Sequence, residues 1–265
     1  MKNILVTGAN GGMGKATCKL LSSSGYNVFG VDLSDADDFV GTRFFKADLS
    51  DSNQILAIKD QLRKECNQLH AIIHMAGIYD LNSLVEMSED DFLRVFQANL
   101  FSVYRINKIF MPMLCEGSRV IITSSELACL DPLPFTGIYA VSKGALEKYA
   151  FSLRMELNLL GIDVSVIRPG AVKTGLLDVS TAALDRFCQR TELYKCNAER
   201  FKKIVDSVEN KNIPAQRIAD IALKILKKKN PRYVYNINRN PGLRLLSVLP
   251  DRLQVKIISL LLKQK

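Results

Sequence analysis

Short apolar runs alternate along this chain with longer stretches whose apolar positions recur every three or four residues. The runs Asn3–Thr7, Asn27–Asp32, Phe44–Leu49, Ala71–Met75, Arg119–Thr123 and Asp163–Arg168 predict strands. None shows the strict in-out alternation of a half-solvated strand, as expected of parallel strands covered by helices on both faces. Between them, Gly14–Ser23, Asn53–Glu65, Ser88–Leu114 and Tyr139–Leu160 predict helices, the third long enough to be two. This rhythm predicts an α/β fold, a doubly wound parallel sheet in a single domain spanning residues 1–265.

After Pro169 the rhythm changes. Leu176–Asn212 is polar and partly helical, and it precedes a helix at Pro214–Lys228 and a last strand at Arg232–Ile237. An excursion just past a strand's carboxyl end lies where open α/β sheets bind ligands. Residues from about 175 to 213 are therefore expected to form a small helical lid over a substrate, the plainer alternative being a surface helix pair. The apolar residues it offers to a pocket are Leu176, Leu177, Val179, Leu184, Phe187, Leu193, Tyr194 and Phe201.

Composition narrows the class. A chain of 265 residues, 48% hydrophobic, is long enough for one well-buried core. Met1–Lys2 runs straight into Ile4–Val6, so no signal peptide is expected, and no apolar stretch has the length of a membrane span. Cys18, Cys66, Cys115, Cys129, Cys188 and Cys196 form no CxxC pair, which suits free thiols in a reducing cytoplasm. The only histidines are His70 and His74, so no metal site is expected; His70 is read as a surface residue. Net charge is +9 and uneven, for residues 200–265 hold 16 Lys and Arg against 4 Asp and Glu. That balance suits an acidic partner or anionic surface, or simply a solvated face; no nucleic-acid partner is expected.

Two constellations carry chemistry. Ile4-Leu5-Val6-Thr7-Gly8-Ala9-Asn10-Gly11-Gly12-Met13-Gly14 is a strand entering a glycine-rich turn and then a helix. Gly8 suits a tight turn, Gly12 a close approach to a pyrophosphate and Gly14 close helix–strand packing, with the helix N-terminus offering N–H groups to the anion. Asp32, ending the second strand, can accept hydrogen bonds from adenosine ribose hydroxyls and would repel a 2′-phosphate. No Arg or Lys lies within Gly8–Gly14 or beside Asp32, so NAD(H) is expected over NADP(H). Farther on, Tyr139 and Lys143 stand at i and i+4 on one helix face, after Ser124-Ser125 at a strand end. A neighbouring ammonium is expected to lower the phenol's pKa and make it a general acid/base for alcohol–ketone interconversion.

At this point the chain resembles the short-chain dehydrogenase/reductase family. Thr7–Gly14 is similar to its TGxxxGxG turn, and Ser125, Tyr139 and Lys143 to its catalytic set. Asp48 resembles its adenine-contacting aspartate and Asn99 its helix asparagine, while Pro169-Gly170-Ala171-Val172-Lys173-Thr174 resembles its nicotinamide-side segment. The resemblance implies a Rossmann-like fold in which Tyr139 transfers the proton, Ser125 orients the substrate oxygen, Lys143 holds the ribose, and Asn99 positions a water. It adds Asn10, Gly11 and Met13, Leu33, Leu49, Met75 with Ala76 and Gly77, Thr123, Val172 and Thr174 to the cofactor site.

There are two departures. His74-Met75-Ala76-Gly77 replaces the usual Asn-Asn-Ala-Gly, with His74 expected as a structural stand-in. Ser125 lies one residue farther from Tyr139 than the family pattern implies, which keeps Ser124 as an alternative and sets Glu126 beside the site. The expected reaction is that of an NAD(H)-dependent alcohol dehydrogenase or ketone reductase on an apolar, steroid- or lipid-like substrate. A nucleotide-sugar epimerase or dehydratase, and an idle NAD-binding sensor or scaffold, are the alternatives. Family habit implies a homodimer or homotetramer through the two long helices, whose apolar residues include Val103, Ile106, Ile109 and Phe110, and Leu146, Phe151 and Leu157. The segment from about 243 to 265 reads as a basic amphipathic tail, expected either to pack on the protein or to touch an anionic membrane peripherally.

Overall fold

Apolar residues face both ways from every central strand, and the architecture buries both sets. The computed structural model describes residues 1–35, 41–209 and 212–263, of which 175–182 and 207–209 by backbone alone. The strands are β1 (Asn3–Thr7), β2 (Asn27–Asp32), β3 (Thr42–Lys46), β4 (Ala71–His74), β5 (Arg119–Thr123), β6 (Asp163–Pro169), β7 (Val172–Lys173), β8 (Ile213–Pro214) and β9 (Val234–Ile237). A seven-stranded parallel sheet runs β3-β2-β1-β4-β5-β6-β9, while β7 and β8 pair separately. The chain reverses its direction of winding at β1, which pairs with both β2 and β4. Open sheets of this kind bind ligands beyond the carboxyl ends of their strands at such a switch point.

Helices α1 (Gly12–Ser23), α2 (Ser52–Arg63), α3 (Glu89–Phe96), α4 (Ser102–Phe110), α5 (Gly137–Asn158), α6 (Gly175–Arg190), α7 (Lys195–Glu209), α8 (Gln216–Lys227), α9 (Pro241–Leu246) and α10 (Asp251–Leu262) surround it. On one face Ile4, Val6, Ile73 and Ile121 pack with Cys18 and Leu21 of α1 and Ile218 and Ile225 of α8. On the other, Leu5, Phe29 and Ile72 meet Ile55 and Leu62 of α2 and Ile106 and Phe110 of α4. Val120, Ile122 and Val164 meet Leu146 and Leu157 of α5 there as well. Apolar burial on both faces is why the strand runs lack alternation.

Boundaries shift by a few residues from the sequence pattern. The third strand begins at Thr42 rather than Phe44 and ends at Lys46 rather than Leu49, because Ala47–Leu49 already turns toward the capped start of α2. The single long pattern Ser88–Leu114 resolves into α3, a π-helical turn at Gln97–Phe101, α4, and a 3-10 turn holding Pro112. Single π turns inside helices cluster at functional positions, and this one carries Asn99.

His70 is half-buried rather than on the surface. Its ring lies near Lys2 and Arg119, and burial first and those charges second lower its pKa to about 4. Most of the long-helix apolar residues named for assembly point inward. Val103, Ile106, Phe110, Leu146 and Leu157 are buried, Ile109 is partly so, and only Phe151 among them is exposed.

Candidate active site

The glycine-rich turn joins β1 to α1 at the sheet's switch point. Gly8 has φ +67°, and a side chain there would collide with the backbone of Ala76 beyond β4. A Cβ on Gly14 would collide with the carbonyl of Gly8, so the first turn of α1 closes tightly onto the end of β1. Helix α1 starts without a side-chain cap and without acidic residues in its first turn, which leaves its first N–H groups to an anion. These features fit the pyrophosphate of a dinucleotide.

Asp32 fastens this turn to the end of β2. Its Oδ2 accepts from the Asn10 N–H at 2.9 Å, and its Oδ1 accepts from Ser34 N–H and O–H, each at 3.2 Å. Asn10 in turn donates from Nδ2 to Ser34 Oγ and to the Asp35 carbonyl, both at 2.8 Å. A carboxylate has about four lone-pair directions, so the loop contacts leave room for a ribose hydroxyl. Asp48, after β3, folds back on the Ser50 N–H at 2.7 Å while its own N–H donates to Gln54, beside Leu49. Leu33 is exposed just past Asp32.

From the turn a cleft of about 640 Å³ runs across the carboxyl ends of the strands. Along one side it exposes Asn10, Gly11, Gly12, Met13, Met75, Ala76 and Gly77; along the other, Thr123, Ser125, Tyr139, Lys143, Pro169, Gly170, Val172 and Thr174. Asp32, Leu33, Asp48, Leu49 and Asn99 lie off its lining, Asn99 immediately behind it. Lys15, unnoticed in the sequence, also lines it and is a cation next to the glycine turn.

At the inner end, Tyr139 sits in the first turn of α5, close enough to Ser125 for the serine to lower its pKa. Ser124 is also in the cleft, but its hydroxyl is buried without a partner, whereas Ser125 is the serine that acts on the phenol's pKa. The Lys143 ammonium lies 5.9 Å from the Tyr139 ring centre and donates to the Thr123 carbonyl at 3.1 Å. Behind it, Asn99 accepts from the Ile78 N–H at 2.8 Å and donates to the Ile78 carbonyl and to Ser142 Oγ, each at 3.0 Å. The π turn is what delivers Asn99 to this position.

Electrostatics here differ from the sequence expectation. Burial pushes the Tyr139 phenol up to about 12, against the smaller lowering effect of the Ser125 hydrogen bond. Burial also lowers Lys143 to about 8, opposed by the charge of Glu147. The phenol is thus held as an acid at neutral pH rather than primed as a phenolate, because desolvation of the charged form outweighs its neighbours.

His74 does not face the cleft. It is buried between β4 and α4, its Nε2 lies 2.9 Å from Asn107 Oδ1, and burial lowers its pKa to about 4. Asn107 passes the connection on to the Tyr149 hydroxyl at 3.1 Å. Glu126 is buried with its carboxyl raised by burial, and its Oε2 accepts from the Asn240 N–H at 2.7 Å at the start of α9.

Of the residues offered as pocket wall, Phe201 lines the cleft. Leu184 and Phe187 instead form a core with Phe135, Leu193 is exposed, and Tyr194 lines a neighbouring groove. The side chains of Leu176, Leu177 and Val179 lie outside those described. Tyr79, Leu133, Ile204 and Val205, which sequence periodicity did not single out, and Leu243, expected as part of the tail, complete the apolar outer wall.

The sequence pattern of the short chain dehydrogenase family matches residues 2–185. A 3-ketodihydrosphingosine reductase of Bacteroides thetaiotaomicron is 26% identical over 231 residues, 87% of this chain and 85% of that one. An NADPH-dependent 1-acyldihydroxyacetone phosphate reductase of Schizosaccharomyces pombe is 30% identical, over 65% of this chain and 60% of its own length. Among solved structures, a short chain dehydrogenase family protein from Francisella tularensis superposes with a TM-score of 0.75 at 24% identity, covering 89% of this chain and 97% of that one.

Proposed function

Because the chain belongs to the short-chain dehydrogenase/reductase family of oxidoreductases, we propose that it interconverts a secondary alcohol and a ketone with NAD(H), on an apolar, lipid- or steroid-like substrate. The observation that carries this reading is the convergence of Ser125, Tyr139 and the Lys143 ammonium on the cleft, with that ammonium 5.9 Å from the Tyr139 ring centre. Bound nicotinamide would supply or accept the hydride. Gly8–Gly14 would hold the pyrophosphate, Asp32 the adenosine ribose, Asp48 and Leu49 the adenine side, and Met75–Gly77, Pro169, Gly170, Val172 and Thr174 the remainder.

Tyr139 would give its proton to the ketone oxygen, and its high pKa suits the reductive direction. Ser125 would donate a hydrogen bond to the same oxygen, Lys143 would stabilise the phenolate left behind and hold the nicotinamide ribose, and Asn99 would anchor the water that returns the proton. The outer wall of Leu133, Phe201, Ile204, Val205 and Leu243 brings no charge, which supports an apolar substrate. Two similar proteins named as reductases of lipid ketones point the same way.

NAD(H) is favoured by the carboxylate at the end of β2. Assembly as a homodimer or homotetramer is supported by exposed Phe92, Leu93, Phe101 and Tyr104 on α3 to α4, and by Val141, Phe151 and Met155 on α5. Unpaired cysteines speak for a cytoplasmic setting. The decisive experiment is Tyr139→Phe assayed against a panel of long-chain and cyclic ketones by nicotinamide absorbance. Turnover should fall about 10²–10⁴-fold with NADH affinity retained, and a variant keeping more than about a tenth of the rate overturns the proposal.

A further inference from the structure

The last two helices carry more apolar surface than the protein itself covers. Helix α10 packs through one edge only. Gln254 donates to Asp131, Ile258 and Leu262 join the core built around Phe135 and Phe201, and Asn197 donates to the Leu262 carbonyl at 2.7 Å. Spacing at i, i+4, i+7 and i+8 sets Leu253, Ile257, Leu260 and Leu261 on a different face, and all four are exposed, Leu260 by 74%. Beside that stripe Arg252 and Lys256 stand exposed at i and i+4, while Lys263, also exposed, follows the last residue of the helix and borders the groove beneath it.

Helix α9 repeats the arrangement on a smaller scale. Leu243 turns into the cleft and Leu246 into the groove under α10, while Leu245 and Val248, 67% and 74% exposed, turn outward with Arg244. Asp251 is the single acidic residue in residues 241–263. No helix among the described residues is long and apolar enough to cross a membrane.

We propose that the outer face of α9 and α10 docks on the surface of an anionic lipid bilayer. An apolar stripe of this width flanked by a basic row is the pattern of a helix lying in the headgroup region, leucines in the acyl boundary and ammonium groups at the phosphates. A second copy of the chain fits less well, since it would bring these basic rows together with no acidic counterpart. Because α9 forms part of the wall of the cleft, docking would place the cleft's outer end next to the bilayer, which suits the apolar substrate class inferred above. Docking itself does not depend on that assignment.

The chain has no tryptophan, so Leu260→Trp installs a lone reporter at an exposed position. Mixed with phosphatidylcholine vesicles containing phosphatidylserine, its emission should shift to the blue, and wild-type protein should co-sediment. Vesicles of phosphatidylcholine alone, or high salt, should weaken binding at least about tenfold, as should the pair Arg252→Glu and Lys256→Glu. Leu253→Ser with Leu260→Ser should do the same while leaving NADH binding and thermal unfolding unchanged. Absence of wild-type binding to anionic vesicles overturns the proposal. So does an unshifted Trp, or a serine variant whose only change is a smaller mass in solution, which would make this face a contact between copies. Failure of catalysis on every ketone would leave the vesicle result standing.

Discussion

Arg168 and Glu147 meet in a bidentate ion pair, with both guanidinium–carboxylate contacts at 2.8 Å, that ties α5 to the end of β6. One helical turn before Glu147 stands Lys143, and one residue after Arg168 stands Pro169. The pair therefore fixes the helix carrying Tyr139 and Lys143 against the strand that leads to Pro169 and Gly170 in the wall of the cleft. Both side chains are largely buried, and Tyr233 also donates to the Glu147 carbonyl at 3.5 Å.

Glu147→Gln should separate structure from electrostatics. Breaking one side of a buried pair costs about 3–5 kcal/mol, and the partial exposure of Arg168 puts this case at the lower end. The negative charge also raises the pKa of Lys143, so its loss should move that pKa further below about 8. The alkaline limb of the kcat profile should shift to lower pH. Thermal unfolding combined with a pH–rate profile checks both parts, and an unmoved limb would show that Glu147 serves the fold alone.

Lys143→Met should exchange function for stability. The lysine pKa falls from 10.5 unfolded to about 8 folded, so the unfolded chain binds more protons between those values. In that window stability rises with pH, and below about pH 8 the full cost of the buried charge is present. That cost is about 3 kcal/mol, offset by about 1 kcal/mol for the lost bond to the Thr123 carbonyl. At pH 7 the variant should melt a few degrees higher than the wild type while losing turnover and nicotinamide affinity. A lower Tm would mean that the ammonium is better solvated than its burial implies.

The two serines should behave oppositely. Ser125 acts on the Tyr139 phenol's pKa and accepts from the Leu127 N–H at 3.2 Å, whereas the Ser124 hydroxyl is buried without a partner. Ser125→Ala should lower kcat about 10²-fold or more, since in the proposed mechanism it removes a donor to the substrate oxygen. Ser124→Ala should leave kcat within a few-fold and stability equal or better, because an unsatisfied hydroxyl costs more than a methyl. The reverse order of activities would transfer the role to Ser124.

What the sequence disclosed about the site was whatever depends on neighbours in the chain. The glycine turn, Asp32 at a strand end and the Tyr139–Lys143 spacing are local, and their elements are strongly patterned. Contacts made through the fold were not legible. Asn99 was reached through the resemblance alone, since the π turn that places it is reported by no periodicity, and the Arg168–Glu147 pair joins residues 21 apart on different elements. The phenol's pKa was expected to fall because its cationic neighbour is visible in sequence, while burial, which dominates, is not. For the same reason Leu184 and Phe187 looked like pocket residues and proved to be core, since helical spacing alone does not say which apolar surface a side chain meets.

Assembly should run through Phe151, the exposed one of the residues the sequence pattern suggested, and through its neighbour Met155. On α5, Phe151 is 53% and Met155 is 61% exposed. Light scattering should give a multiple of 29.6 kDa at micromolar concentration. Phe151→Glu with Met155→Glu should lower that mass, because an apolar interface does not accept two uncompensated carboxylates. A monomeric wild type would refute the assembly.

Asp32 gives the sharpest test of cofactor choice, because its carboxylate has two tasks. On the proposed reading it would meet an adenosine ribose, and it holds the Asn10 N–H of the glycine turn at 2.9 Å. Replacing it should therefore do two things at once. Loss of the negative charge should relieve repulsion of a 2′-phosphate, and loss of the Asn10 contact should loosen the turn and weaken binding of either dinucleotide. Two cations are close enough in the fold to exploit the change. Lys15 lines the cleft beside the turn, and Lys46 pairs with Asp32 in strand register while its ammonium bonds to Asp35 at 2.6 Å. Asp32→Ala should raise the ratio of kcat/KM for NADPH to that for NADH by about tenfold, with KM for NADH increased. That change equals about 1.4 kcal/mol, modest for removal of one charge repulsion in a partly enclosed site. Adding Leu33→Arg should raise the ratio further by giving the phosphate a guanidinium partner. Asp32→Asn keeps an acceptor for the Asn10 N–H without the charge, so it should shift the ratio and largely spare the affinity. A wild-type enzyme that already prefers NADPH would show that Asp32 works only as a clamp on the turn and that Lys15 or Lys46 sets the preference.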